Sequence, residues 1–220
     1  MKRLIKSVYN NRVGLAVRNL LGYRPPVFLF DYEHEYISSD LFIWRTDNNF
    51  QTTFKVSNIL KKYYSLASFV RIVFFNSSGD FIFERDYDFQ GGALTVDINS
   101  DLVGAGEMGT FCVFNLPYER NDQPLRVTNR CYVGYGRNGA FSMVHGNLIG
   151  LMVSPDNWAK GKIADRMVPA IGSCKGSYEY FIQRKFPMGG KLTFFFSNPL
   201  NRAIRVGVGS IEKKIPSRGC

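Results

Sequence analysis

The stretch Cys131 to His145, CYVGYGRNGAFSMVH, holds the residues best placed to do chemistry. Asn138-Gly139 reads as a two-residue hairpin turn, because type I′ geometry needs positive φ at both central positions and these residue types supply it. A turn there fixes the register of its flanking strands: Arg137 opposes Ala140, Tyr135 opposes Ser142, and Tyr132 opposes His145. Tyr132 and His145 then share one face, with Met143 and the bare backbone of Gly134 beside them. A phenol next to an imidazole has the composition of an acid/base site, since imidazole titrates near neutral pH. The same pair, with Arg137 at the turn, also makes a polar binding surface. Glycines along one side of a strand leave room for a ligand or another backbone. Against both stands the plainer reading, in which Tyr132 and His145 satisfy each other within or beside the core.

Other constellations point to binding rather than to a reaction. Trp44 to Asn49, Pro117 to Pro124 and Ser154 to Trp158 read as exposed polar and aromatic loops. Trp44 and Trp158 could stack on a sugar face while Asn, Asp and Arg grip hydroxyls, or each ring could pack under its own loop. Asp31, Glu33 and Glu35, if extended, line one face and could hold a hard cation or receive nearby basic residues. Glu84, Asp86 and Asp88 repeat that alternation, which also serves to blunt strand edges. With two histidines in the chain, no multi-His transition-metal site is expected within one subunit. There is no GxSxG elbow, P-loop or dinucleotide fingerprint, so no cofactor is expected and nucleophilic catalysis finds little support. Cys174 has Lys175 beside it but no histidine near in sequence.

These residues need a scaffold, and from Val27 onward the pattern is short β-like runs separated by turn signals. Phe69–Phe75 and Phe81–Arg85 flank a hairpin loop at Asn76–Asp80. Ala93–Ile98, Thr110–Asn115, Leu125–Tyr135, Phe141–His145 and Leu148–Val153 continue the series. Tyr178–Phe186, Leu192–Phe196 and Ile204–Val208 read as a final meander. Ser57–Ser65 is a brief helical stretch, capped by Ser57 or Asn58. The fold class that follows is all-β: an antiparallel β-sandwich or jelly roll with an N-terminal helical segment.

Charge sets that segment apart. Lys2, Arg3, Lys6, Arg12, Arg18 and Arg24 precede the first acid, Asp31, and taking them from the formal +10 leaves +4 downstream. Val13, Ala16, Val17 and Leu20 fall on one helical face, and Gly22 with Pro25-Pro26 ends the helix. Arg12 and Gly14 blur the amphipathic division, so a helix docked on the β body or on a second subunit is expected over a membrane-surface helix. Residues 1–24 are thus a basic helical segment and 27–220 one β-sandwich domain.

Apolar runs are too short for a membrane-spanning helix, and Cys112, Cys131, Cys174 and Cys220 form no CxxC pair. Reduced thiols suit a cytoplasmic setting, with organellar targeting by the N-terminus left open. Cys112 and Cys131 read as buried apolar thiols, and Cys220 as exposed and mobile.

The leading expectation is a non-enzymatic β-sandwich module that binds a glycan or a protein partner through Tyr132, His145, Arg137, Trp44 and Trp158. Two alternatives accompany it. One is an acid/base enzyme acting on a sugar derivative through His145 and Tyr132. The other is a peripheral protein recruited to an anionic membrane or nucleic acid by the basic N-terminus. Nucleic acid is disfavoured, because only Arg120, Arg126, Arg130 and Arg137 approach a basic stripe. Peripheral membrane contact and self-association remain open.

Overall fold

Phe69–Phe75 and Thr110–Leu116 are almost unbroken apolar runs, which suits strands covered on both faces rather than on one. The computed structural model describes residues 36–119, 131–146, 150–153, 163–170 and 193–220. Its strands, in chain order, are β1 (Tyr36–Ile37), β2 (Phe42–Arg45), β3 (Gln51–Ser57), β4 (Ser68–Asn76), β5 (Phe81–Asp88), β6 (Ala93–Ile98) and β7 (Met108–Pro117). Then follow β8 (Cys131–Arg137), β9 (Ala140–His145), β10 (Leu151–Val153), β11 (Val168–Pro169), β12 (Ile204–Val208) and β13 (Ile211–Ile215). Every pairing between them is antiparallel. The fold is all-β, and the two apolar runs are its central strands β4 and β7.

Two four-stranded sheets dominate, with orders β2-β7-β4-β5 and β6-β3-β8-β9. One apolar cluster draws from both: Val70, Ile72, Phe74, Phe111 and Val113 from the first, Phe54, Val56, Val96, Ile98, Cys131 and Val133 from the second. Phe54 and Phe111 meet edge to face across it, with ring centroids 5.7 Å apart. Each such buried side chain contributes about 1.5–3 kcal/mol of transfer free energy.

The opposite face of the first sheet carries Phe69, Val73, Phe75, Cys112, Phe114 and Leu116. It is covered by Tyr36 of β1, Leu60, Leu151 and Val153 of β10, and a short 3₁₀ turn bearing Ile163 and Ala164. Both faces of β4 and β7 are therefore dry, which is why those strands show no polar alternation.

Leu60 comes from the short helix α1 (Ile59–Tyr64), which starts where a cap was expected: the Asn58 side chain accepts the Lys61 N–H at 3.0 Å. A second turn, α2 (Ser100–Val103), is capped in the same way by Asn99. No helix among the described residues is long and apolar enough to cross a membrane.

Several expectations need correction. Trp44 and Arg45 lie in β2, not in an exposed loop. Residues 193–196 are described but join no strand, while Ile211–Ile215, unmarked in the sequence, pairs with Ile204–Val208. Cys220 is half-buried and docked: its N–H donates to the Ser77 carbonyl at 3.1 Å, and burial pushes its thiol up to about 11. Segment 1–24, Asp31, Glu33, Glu35, Trp158, Cys174 and Tyr178–Phe186 lie outside the described residues.

Candidate functional site

Asn138 and Gly139 adopt φ of 49° and 80°, the left-handed values a type I′ turn requires. The register follows from that turn: Arg137 pairs Ala140, Tyr135 pairs Ser142, and Tyr132 pairs His145. Tyr132 and His145 thus stand side by side, their rings edge to face with centroids 6.1 Å apart. They meet as rings, and no hydrogen bond joins them. Both are solvent-facing, and Tyr132 is 50% exposed.

The room left by the glycines is taken up within the hairpin itself. Phe141 folds back over β8, so that a Cβ on Gly134 would stand 2.2 Å from the tip of its ring. An aromatic side chain laid across a strand glycine covers backbone that would otherwise be bare, and here it leaves the ring 58% exposed. Tyr135 points the other way. Its hydroxyl donates to the Ile43 carbonyl at 2.6 Å, and burial raises its phenol to about 12.

The outer face of the second sheet extends this surface. Registers β6–β3, β3–β8 and β8–β9 align Thr95, Lys55, Tyr132 and His145 in one row, and Asp97, Thr53, Gly134 and Met143 in the next. Thr53 donates to Asp97 at 2.8 Å. Strands spaced about 4.8 Å apart make each row roughly 14 Å long.

At its β6 end the face opens into a cleft of about 360 Å³ lined by Arg85, Tyr87, Thr95, Asp97, Asn99 and Asp101. Burial raises the Tyr87 phenol against the opposing pull of Arg85, whose guanidinium lies 5.5 Å from the ring centre. The cleft thus offers carboxylates, an amide, a hydroxyl and a guanidinium around a half-buried ring, a mixture of donors and acceptors suited to hydroxyl-rich ligands.

Trp44 takes no part. It is fully enclosed and donates its indole N–H to the Phe75 carbonyl at 3.1 Å, following the reading in which the ring packs beneath its own chain. Arg137 lies over Phe50, 5.1 Å from the ring centre. Phe50 also receives Arg45 at 3.9 Å, with Phe195 on Arg45 at 4.4 Å. Arg45 in turn holds the Asp47 carboxylate below its ordinary range through paired hydrogen bonds.

The alternating acids of β5 are engaged internally. Arg71 binds Asp86 at 2.6 Å and approaches Glu84 at 3.4 Å, Glu84 accepts the Ile163 N–H, and Asp88 accepts the Tyr118 hydroxyl. Among the described residues no three His, Cys, Asp or Glu side chains converge to hold a metal ion.

No family model, curated protein sequence or solved structure matches this chain. The site therefore has to be read from its own geometry. Sequence reasoning missed the cleft, because its walls come from β5 and β6, which are consecutive in the chain but lie at the edges of different sheets. Phe141 was legible as a strand residue, yet nothing in its spacing marks it as the ring that covers Gly134.

Proposed function

We propose that this chain is a non-enzymatic β-sandwich module that binds a carbohydrate along the outer face of its second sheet. The sandwich reading is supported by the single apolar cluster fed from both four-stranded sheets. The binding reading rests on one observation above the others: exposed rings cluster on β8 and β9, Tyr132 beside His145 with Phe141 laid over Gly134, and by strand register the rows of Tyr132 and Gly134 lead through Lys55 and Thr53 to Thr95 and Asp97 at the polar cleft. Ring faces pack against the C–H surface of a sugar, while carboxylate, amide and guanidinium groups take its hydroxyls. An extended oligosaccharide laid across the four strands meets both chemistries at once.

Catalysis by Tyr132 and His145 is the weaker reading. General acid/base work calls for groups within hydrogen-bond reach of each other or of a held substrate, in a site that excludes water. These two rings contact edge to face on an open surface. The free, buried thiols of Cys112 and Cys131 support placing the module in a reducing, cytoplasmic setting.

A glycan array probed with the whole chain is the first experiment, followed by calorimetric titration of the best oligosaccharide. Tyr132→Ala and Asp97→Ala are each expected to weaken binding at least about tenfold, the loss of one good contact. An empty array, or binding that ignores both substitutions, overturns the reading; specific capture of a protein on this face in its place makes the module a protein binder.

A further inference from the structure

Among the described residues β12 and β13 pair only with each other, from Ile204↔Ile215 to Val208↔Ile211. The register sorts their side chains. Ile204, Val206, Val208, Ile211 and Ile215 share one face with Lys213, while Arg205, Lys214 and Glu212 occupy the other.

The root of this ribbon is tied down. Asn198 is fully buried, and its side-chain amide donates to the carbonyls of Arg202 at 2.7 Å, Pro216 at 2.8 Å and Ile215 at 3.3 Å. Its Oδ1 accepts the Leu200 N–H at 3.1 Å. Ile215 is buried at that root. The tip is the reverse: Val208 is 37% and Ile211 66% exposed. An isolated two-stranded ribbon is marginal in water, and one that keeps branched aliphatic side chains in solvent at its tip has a surface to give to a partner.

Charge identifies the kind of partner. Arg205, Lys213 and Lys214 are exposed and form no ion pair among the described residues, while Glu212 is the single acid of the ribbon. We infer that the ribbon docks on an anionic lipid surface, with Ile211 and Val208 entering the headgroup boundary and the three cations lying at phosphate depth. At about 3.3 Å per residue, the cations sit two to three residues, roughly 7–10 Å, behind the tip, which matches the depth of interfacial insertion. Nucleic acid would use the cations but has no role for an aliphatic tip. This surface is built from other strands than the proposed glycan-binding face.

Sedimentation of the whole chain with vesicles tests it. Binding is expected to phosphatidylcholine–phosphatidylserine vesicles and not to phosphatidylcholine alone, and to fall as salt rises. Reversing Lys213 and Lys214 together (Lys213→Glu with Lys214→Glu) is expected to lower partitioning by roughly 25-fold or more, about fivefold per cation. Ile211→Asp is expected to lower it by about fivefold or more with the thermal midpoint unchanged, since Ile211 is exposed. Vesicle binding that survives the double reversal overturns the inference and assigns recruitment to another basic element. Loss of binding in the reversal with none in Ile211→Asp, together with displacement of vesicles by a short DNA duplex, also overturns it and makes nucleic acid the partner.

Discussion

The ring of Phe141 occupies the place that a side chain on Gly134 would take, its tip 2.2 Å from that glycine's missing Cβ. The contact couples strand composition to surface chemistry, because it lays an exposed ring over β8 one register row from Tyr132 and His145. Gly134→Ala is expected to leave folding within about 1 kcal/mol of the native chain, since the contacting atom is the free end of a rotatable ring and alanine is tolerated in strands. Binding of an oligosaccharide should weaken, because Phe141 must swing away. Thermal melts and calorimetric titration of the same variant separate the two effects.

Trp44 behaves in the opposite sense. Trp44→Ala is expected to cost about 3–5 kcal/mol through lost volume, and Trp44→Phe about 1–3 kcal/mol, because the Phe75 carbonyl is left without its indole donor. Urea unfolding measures both. Glycan affinity of the folded variants should equal that of the native chain.

Tyr135 gives a prediction at high pH. Burial raises its phenol from 10.0 to about 12. A group that binds its proton more tightly when folded stabilises the fold fully below its unfolded value, and that contribution fades as pH rises through 10 towards 12. Two units correspond to about 3 kcal/mol. Tyr135→Phe should be less stable at pH 7 by about 1 kcal/mol, the hydrogen bond to Ile43, and the gap to the native chain should close and then reverse between about pH 10 and 12. A gap that stays constant across that range contradicts the assignment.

Gly79 faces the segment 217–219. Its φ is +83°, and a Cβ there would stand 1.8 Å from the Ser217 carbonyl oxygen. Gly79→Ala is expected to cost at least about 2 kcal/mol, combining left-handed strain with displacement of backbone. In a chain lacking residues 217–220 the same substitution should cost only about 1 kcal/mol, the strain alone. Non-additivity in this double-mutant cycle measures the clasp.

How much of this was readable in advance depends on whether the cause was local. Asn138-Gly139 fixed a hairpin, and with it the pairing of Tyr132 with His145, because positive φ is a property of two adjacent residues. Asn58 likewise announced the cap of α1. Trp44 was misplaced because a polar run, Thr46 to Asn49, follows it and masks the short buried strand. The cleft was invisible because Tyr87 and Asp97 meet across two sheets, and no spacing in the chain encodes which edges will face each other. Cys220 looked free because its anchors, Ser77 and the turn around it, are distant in sequence.

The strand orders also govern when the protein can acquire its shape. β3 sits between β6 and β8, so the second sheet cannot be assembled until the chain has been made as far as Arg137. Among the described residues β2 has no sheet neighbour before β7, more than sixty residues later. During synthesis β4 can close at once on its hairpin partner β5, but β2 must wait for β7, and β3 and β4 each wait for a second neighbour, β8 and β7. Slow, non-local pairing of this kind leaves one edge of the apolar segment Phe69–Phe75 open to aggregation until β7 is made. The cellular yield of this protein should therefore respond to chaperone supply and translation rate more sharply than its equilibrium stability would suggest.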